Sequence, residues 1–138
     1  MSANAQPIYS RLGDIQWGTT PLTTANTAKD GTGTVLTVFT ADATNGGYVR
    51  SIRFKPAGSN VATVIRIFIN NGLTNATPAN NIYFDDVTLP LTTLTETAAQ
   101  PLFELPLNWA LPPGYKINVV LGTTVAAGWY VSAVGGKY

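Results

Sequence analysis

Runs rich in Val, Ile, Tyr, Phe and Trp recur along the chain from residue 35, separated by clusters of Gly, Pro, Asn and Thr. They are VLTVFT (35–40), YVRSIRFKP (48–56), VATVIRIFIN (61–70), NIYFDDVTL (81–89), LFELPLNWAL (102–111), YKINVVLG (115–122) and GWYVSAVG (128–135). β-Branched and aromatic residues fit a pleated, half-buried surface, so each run predicts a strand. A shorter run, IQWG (15–18), brings the count to about eight. No segment sustains a 3.6-residue apolar period, and the best helical candidate, LTTLTETAAQPLF, is interrupted by threonines and a proline. Strands joined by hairpin-length links predict an all-β fold, an antiparallel β-sandwich or jelly roll.

Alternation assigns the faces. In 48–56, Tyr48, Ile52 and Phe54 fall on one side with Arg50 among them, while Ser51, Arg53 and Lys55 fall on the other. In 115–122, Tyr115, Ile117, Val119 and Leu121 oppose Lys116 and Asn118. In 61–70, Thr63, Ile65, Ile67 and Ile69 form the inward set, and NNG supplies residues that tolerate positive φ at the turn. Arg66 therefore stands on the outer face, flanked by Val64 and Phe68. A solvated face would not need these apolar neighbours, and a mixture of Phe, Val and Arg is the composition of a protein interface. A loop of the same chain, such as 19–34, would cover that face equally well.

Ahead of the strands, residues 1–14 read as an extended polar arm with one apolar pair, Ile8 and Tyr9, followed by Arg11; residues 15–138 form a single domain. TTPLTTANTAKDGTGT (19–34) is too poor in core-forming residues for a strand, and a loop of that length usually carries function or contacts. Ile8, Tyr9 and Arg11 in the arm, with Val64, Arg66 and Phe68 on the sheet, are the candidate interface residues.

Composition narrows the chemistry. A chain of 138 residues suits one domain. It has no cysteine and no histidine, which removes disulfides, thiolate zinc sites, cysteine nucleophiles and the commonest general base. Charged residues are 11 % of the chain, against about a quarter in ordinary soluble domains, and the net charge is +1. That is too little basic surplus for nucleic-acid binding. No apolar run approaches the ~18 residues of a membrane span, and the N-terminus lacks the pattern of a secretory signal. A soluble protein made in a cytoplasm, without membrane contact, is expected.

The acids form no evident site. Asp85 and Asp86 are neighbours on a strand and so point to opposite faces, and Glu96 and Glu104 stand alone. TADATNGG (40–47) and AKDGTGT (28–34) lack the alternating acidic ligands of a calcium loop, and turn chemistry accounts for both. Trp17, Trp109 and Trp129 would stack on sugar rings if exposed together, although Trp109 and Trp129 lie in strand patterns where core packing is the default. No catalytic, cofactor-binding or metal residue is assigned, and no enzymatic activity is expected.

One further signal lies in the C-terminal half. The strand RIFIN, the stretch LPLNWALPPGY, the turn GTTVAAGW and the final GGKY are spaced as in a recognisable group of proteins. Over roughly residues 48–138 the chain resembles small β-sandwich structural proteins of tailed bacteriophages, most of all capsid decoration (cement) proteins. The resemblance implies a virion component on the outer capsid surface, synthesised in the host cytoplasm. It further implies a homotrimer that binds the major capsid protein and stabilises the capsid. Similar sandwiches occur in tail and receptor-binding proteins, which implies as the alternative a module that recognises a host surface glycan.

Overall fold

The computed structural model describes residues 10–138; residues 1–9, with Ile8 and Tyr9 of the expected arm, lie outside it. Eight strands follow one another: β1 (Leu12–Trp17), β2 (Leu36–Thr40), β3 (Gly47–Pro56), β4 (Thr63–Asn70), β5 (Asn81–Leu89), β6 (Phe103–Leu111), β7 (Lys116–Leu121) and β8 (Trp129–Lys137). One turn of 3-10 helix, Pro78–Asn80, precedes β5. The strands form two four-stranded sheets with orders β1-β8-β3-β6 and β2-β7-β4-β5. Every pairing is antiparallel. First pairs with eighth, second with seventh, third with sixth and fourth with fifth, the result of rolling up one long hairpin. The expected sandwich is thus a jelly roll. Segments 57–62, 90–102 and 122–128 gather at one end of it, and 41–46, 71–80 and 112–115 at the other; segment 18–35 leaves and returns at the first end but reaches Asn75 and Asn81 at the second.

One cluster of apolar side chains fills the space between the sheets, with Phe39, Ile52, Phe54, Ile65, Ile67 and Trp129 at no exposure. Of the inward set expected for β4, Ile65 and Ile67 lie there with Ile69 packed against them, while Thr63 is buried outside the apolar cluster; Ile117, Val119 and Leu121 of β7 lie there too.

Simple alternation fails at three bulges. In β3 the register slips between Val49 and Ser51, so that Arg50 is the extra residue against β8. Val49 therefore points into the core and Arg50 into solvent, the reverse of what the uninterrupted period predicts. A bulge adds one residue to one strand and shifts the phase of whatever precedes it. In β2 a slip at Val38 lets Val38 and Phe39, consecutive residues, both be buried. In β5 the extra residue is Phe84.

The first strand also begins earlier than IQWG suggests. Leu12, Gly13 and Asp14 pair with Lys137, Gly136 and Gly135, so only residues before Leu12 are left to an arm. Leu-Gly-Asp has poor strand propensity, and its extension is imposed by the neighbouring strand rather than by its own preference. At the other margin Val61 leaves the β4 pattern and lies exposed in the preceding loop.

The bulge in β3 has a measurable consequence. Val49→Ala should cost about 2 kcal/mol of unfolding free energy. Arg50→Ala should stay within about 0.5 kcal/mol. Chemical denaturation of the two variants checks the pair, and the opposite order would restore the unbroken alternation.

Candidate interaction surfaces

The outer face of the β2-β7-β4-β5 sheet carries the side chains of Val64, Arg66 and Phe68. Phe68 has no exposed surface, and its ring centroid lies 5.1 Å from that of Tyr83. Asn118 and Val120 of β7 are buried on the same face. The bulge at Phe84 puts Tyr83 and Asp86 on one side, where the Tyr83 hydroxyl donates to Asp86 Oδ2 at 2.6 Å. Burial, helped by that hydrogen bond and the Asp86 charge, raises the Tyr83 pKa above the ordinary phenol value, while nearby Arg66 opposes the shift. Arg66 is the cross-strand partner of Asp86. Its guanidinium extends over Gly122, where a Cβ would lie 3.1 Å from Nη1 and 2.6 Å from Val64 Cγ1. Only a glycine leaves room there, and Nη1 is buried against it without a hydrogen-bond partner.

The segment that crosses this face is 19–34. It is tied to the end of β7 by the Asn26 N–H donating to Leu121 O at 2.9 Å. At its far side Asn75 Nδ2 donates to Gly31 O and Gly33 O at 3.1 and 2.8 Å, and Asn81 Nδ2 to Asp30 O at 3.1 Å. Phe68 is therefore unavailable to a partner, contrary to its place among the candidate interface residues. Val64 and Arg66 are half-buried and Arg11 is exposed, while Ile8 and Tyr9 lie outside the described residues.

The loop-rich end of the sandwich offers a different surface. Asn60 is only 4 % exposed and links three loops. Its Oδ1 accepts from the Ala127 and Gly128 N–H groups at 3.0 and 2.8 Å, and its Nδ2 donates to Gly128 O at 2.9 Å. Its backbone exchanges hydrogen bonds with Thr92, whose hydroxyl donates to Gly58 O at 2.9 Å. Ser59 Oγ accepts from Leu94 N–H at 2.9 Å. On this stitched platform stand Val61, Leu91 and Leu94, exposed to 52, 66 and 50 %. The sequence reading missed this patch because Val61 continues a strand pattern and the leucines sit in a threonine-rich stretch. The detectable signal was two leucines in LPLTTLTET with no strand to bury them.

The three tryptophans are not brought together. Trp129 is fully buried and Trp17 is 65 % exposed on β1. Trp109, half-buried, meets the bulged ring of Phe84 edge-on at 3.9 Å between centroids. Beside them a groove of about 360 Å³, lined by Ile69, Leu111 and Tyr115 among others, opens between β5 and β6. The two calcium-like loops hold their own turns instead. Asp42 Oδ1 accepts from Thr44 and Asn45 N–H groups, and Asp30 Oδ1 from the Thr32 hydroxyl and N–H. These hydrogen bonds to the charged form lower both carboxyl pKa values. No three acidic side chains among the described residues cluster as metal ligands would.

Comparison with protein-family models, with curated proteins and with solved structures finds no match.

Replacing Asn60 by Ala should cost about 2–4 kcal/mol, because it strands the Ala127 and Gly128 amides and a carbonyl in a buried place. Thermal unfolding reads this directly, and a loss below about 0.5 kcal/mol would mean that water replaces the side chain. For Tyr83, Asp86→Asn should bring the phenol pKa down, and burial should keep it above the ordinary value. The neutral phenol is the form the fold favours, so its contribution to stability is complete below the unfolded pKa and is lost as pH rises through the folded one. Ultraviolet titration of the phenolates in the two proteins measures the difference.

Proposed function

We propose that this protein is a non-enzymatic structural component of a virion, a capsid decoration (cement) protein that binds the major capsid protein on the outer surface and stabilises the lattice. The observation that carries the reading is the apolar end of the jelly roll, Val61, Leu91 and Leu94 on loops held rigid by Asn60. Apolar groups presented on a preorganised platform bind without the entropy loss of ordering a loop. The resemblance of residues 48–138 to phage sandwich proteins supplies the setting, including the trimeric order.

A clamp of this kind works by mass action. A protein that binds the assembled shell and not its separated subunits stabilises the shell by RT ln(1 + [L]/Kd) at each site, and weak sites add over a lattice. The low charge of the surface is consistent with contacts made by apolar and hydroxyl groups rather than by ion pairs.

A second reading, a tail or receptor-binding module for a host surface glycan, is favoured by one feature, the exposed Phe84 ring standing on Trp109 beside the groove. Glycan binding that disappears in Phe84→Ala would select it.

The copy number of the chain relative to the major capsid protein, measured by quantitative mass spectrometry of purified particles, tests the first reading. Near-equal copies place it across the lattice, whereas a handful per particle excludes that position. In the lattice case the double variant Leu91→Ser with Leu94→Ser should reduce capsid occupancy by about tenfold or more while its melting temperature stays that of the parent.

A further inference from the structure

Four strands bound the two sheets, and three of their edges are visibly blunted. In β6, Pro106 removes an amide and Asn108 takes a left-handed backbone, φ 54°, at a break in register. In β5, Phe84 bulges beside the adjacent acids Asp85 and Asp86. In β2, which is short and bulged, the Gln16 side chain occupies both backbone groups of Thr40, accepting from its N–H and donating to its O at 2.9 Å. Prolines, bulges, charges and covering groups are the ordinary means by which a sheet edge is kept from pairing.

Among the described residues, β1 has neither proline nor bulge between Leu12 and Trp17. Its register with β8 is unbroken from Leu12 to Trp17, and Asp14 is its one charged residue. Gly18 N–H bonds to Val131 O, so within the unbroken register Leu12, Asp14 and Gln16 face β8 and the amides of Gly13, Ile15 and Trp17 face the open edge; the phase changes only ahead of the strand, where Arg11 N–H also donates to Lys137 O. Ile15 and Trp17, 61 and 65 % exposed, project from the outer face of the sheet on the same side as Tyr130, itself 54 % exposed.

We propose that this edge pairs with β1 of a second copy of the chain, antiparallel across a two-fold axis, which joins two sheets into one. Geometry and charge select the register. An antiparallel two-fold pair must set edge-facing residues opposite edge-facing residues, which leaves two arrangements that overlap most of the strand. Centring on Asp14 brings two carboxylates face to face, a destabilising pair. Centring on Ile15 sets Asp14 against Gln16 of the other copy and Ile15 against its own equivalent. It also sets Trp17 against Gly13, beside which a side chain would meet no atom within 4 Å. The indole fills that space, as aromatic residues do across from strand glycines. The contact is isologous and closes at two copies, so it is additional to any three-fold contact through another surface. It does not depend on the virion reading.

The chain has no cysteine, so Ile15→Cys tests the register directly. Hydrogen-bonded antiparallel partners have Cα atoms about 5.5 Å apart, inside the range a disulfide spans. Oxidation of full-length Ile15→Cys should give a disulfide-linked dimer, and Leu73→Cys, exposed away from β1, should not. In sedimentation velocity over a concentration series the parent chain should reach a dimer. Ile15→Glu, which opposes two charges at the axis, should weaken that dimer by about tenfold or more with an unchanged melting temperature. A parent chain that stays monomeric at every concentration overturns the proposal, as does dimerisation indifferent to Ile15→Glu. A chain that pairs only after residues 1–9 are removed would assign the edge to its own N-terminus and overturn it equally.

Discussion

Burial of one face of each sheet against the other is the interaction on which the rest of this structure depends. Without disulfides, and with few charges, the protein draws its stability chiefly from the layer of Phe39, Phe54, Ile65, Ile67, Trp129 and their neighbours. Strands twist and the two sheets diverge, so strict alternation cannot keep every inward position filled along a whole strand. The bulges at Val38, Arg50 and Phe84 are where this conflict is resolved. Those at Val38 and Arg50 shift the phase of their strands so that Val38 and Val49 meet the core, and the bulges at Arg50 and Phe84 each redirect a side chain. Arg50 is turned out to solvent, and Phe84 is aimed across the open side of the sandwich at Trp109.

A second consequence of low charge is the way the loops are held. Buried backbone groups need partners wherever the chain leaves a sheet. Here they come mainly from asparagine and threonine side chains. Asn60 joins three loops at one end, while Asn75 and Asn81 fasten segment 19–34 at the other and Asn26 braces that segment internally. The amide side chain offers both donor and acceptor, so Asn60 satisfies N–H groups and a carbonyl of loop 122–128 at once. The outcome is a rigid loop end whose remaining apolar side chains stay exposed among the described residues.

The surfaces therefore differ in character. The outer face that carries Arg66 and Phe68 is crossed by segment 19–34, which leaves Phe68 buried and Arg66 half-buried. Among the described residues, the loop end with Leu91 and Leu94 and the edge of β1 with Trp17 remain uncovered. One suits attachment to a different protein and the other suits pairing with an identical strand.

The sequence by itself determined the all-β class, the positions of most strands and the inward residues of β4 and β7, because period-two patterns are local and these strands are unbroken over most of their length. It also excluded cysteine and histidine chemistry, which composition alone can do. Tertiary structure decided the rest. The phase of β3 at Val49 depends on a bulge that exists only against β8, and the extension of β1 to Leu12 depends on a partner more than a hundred residues away. Whether Phe68 faces a partner or its own chain turned on where segment 19–34 lies, and that is set by hydrogen bonds to Leu121, Asn75 and Asn81. Such information resides in pairs of residues distant along the chain, and no local pattern carries it.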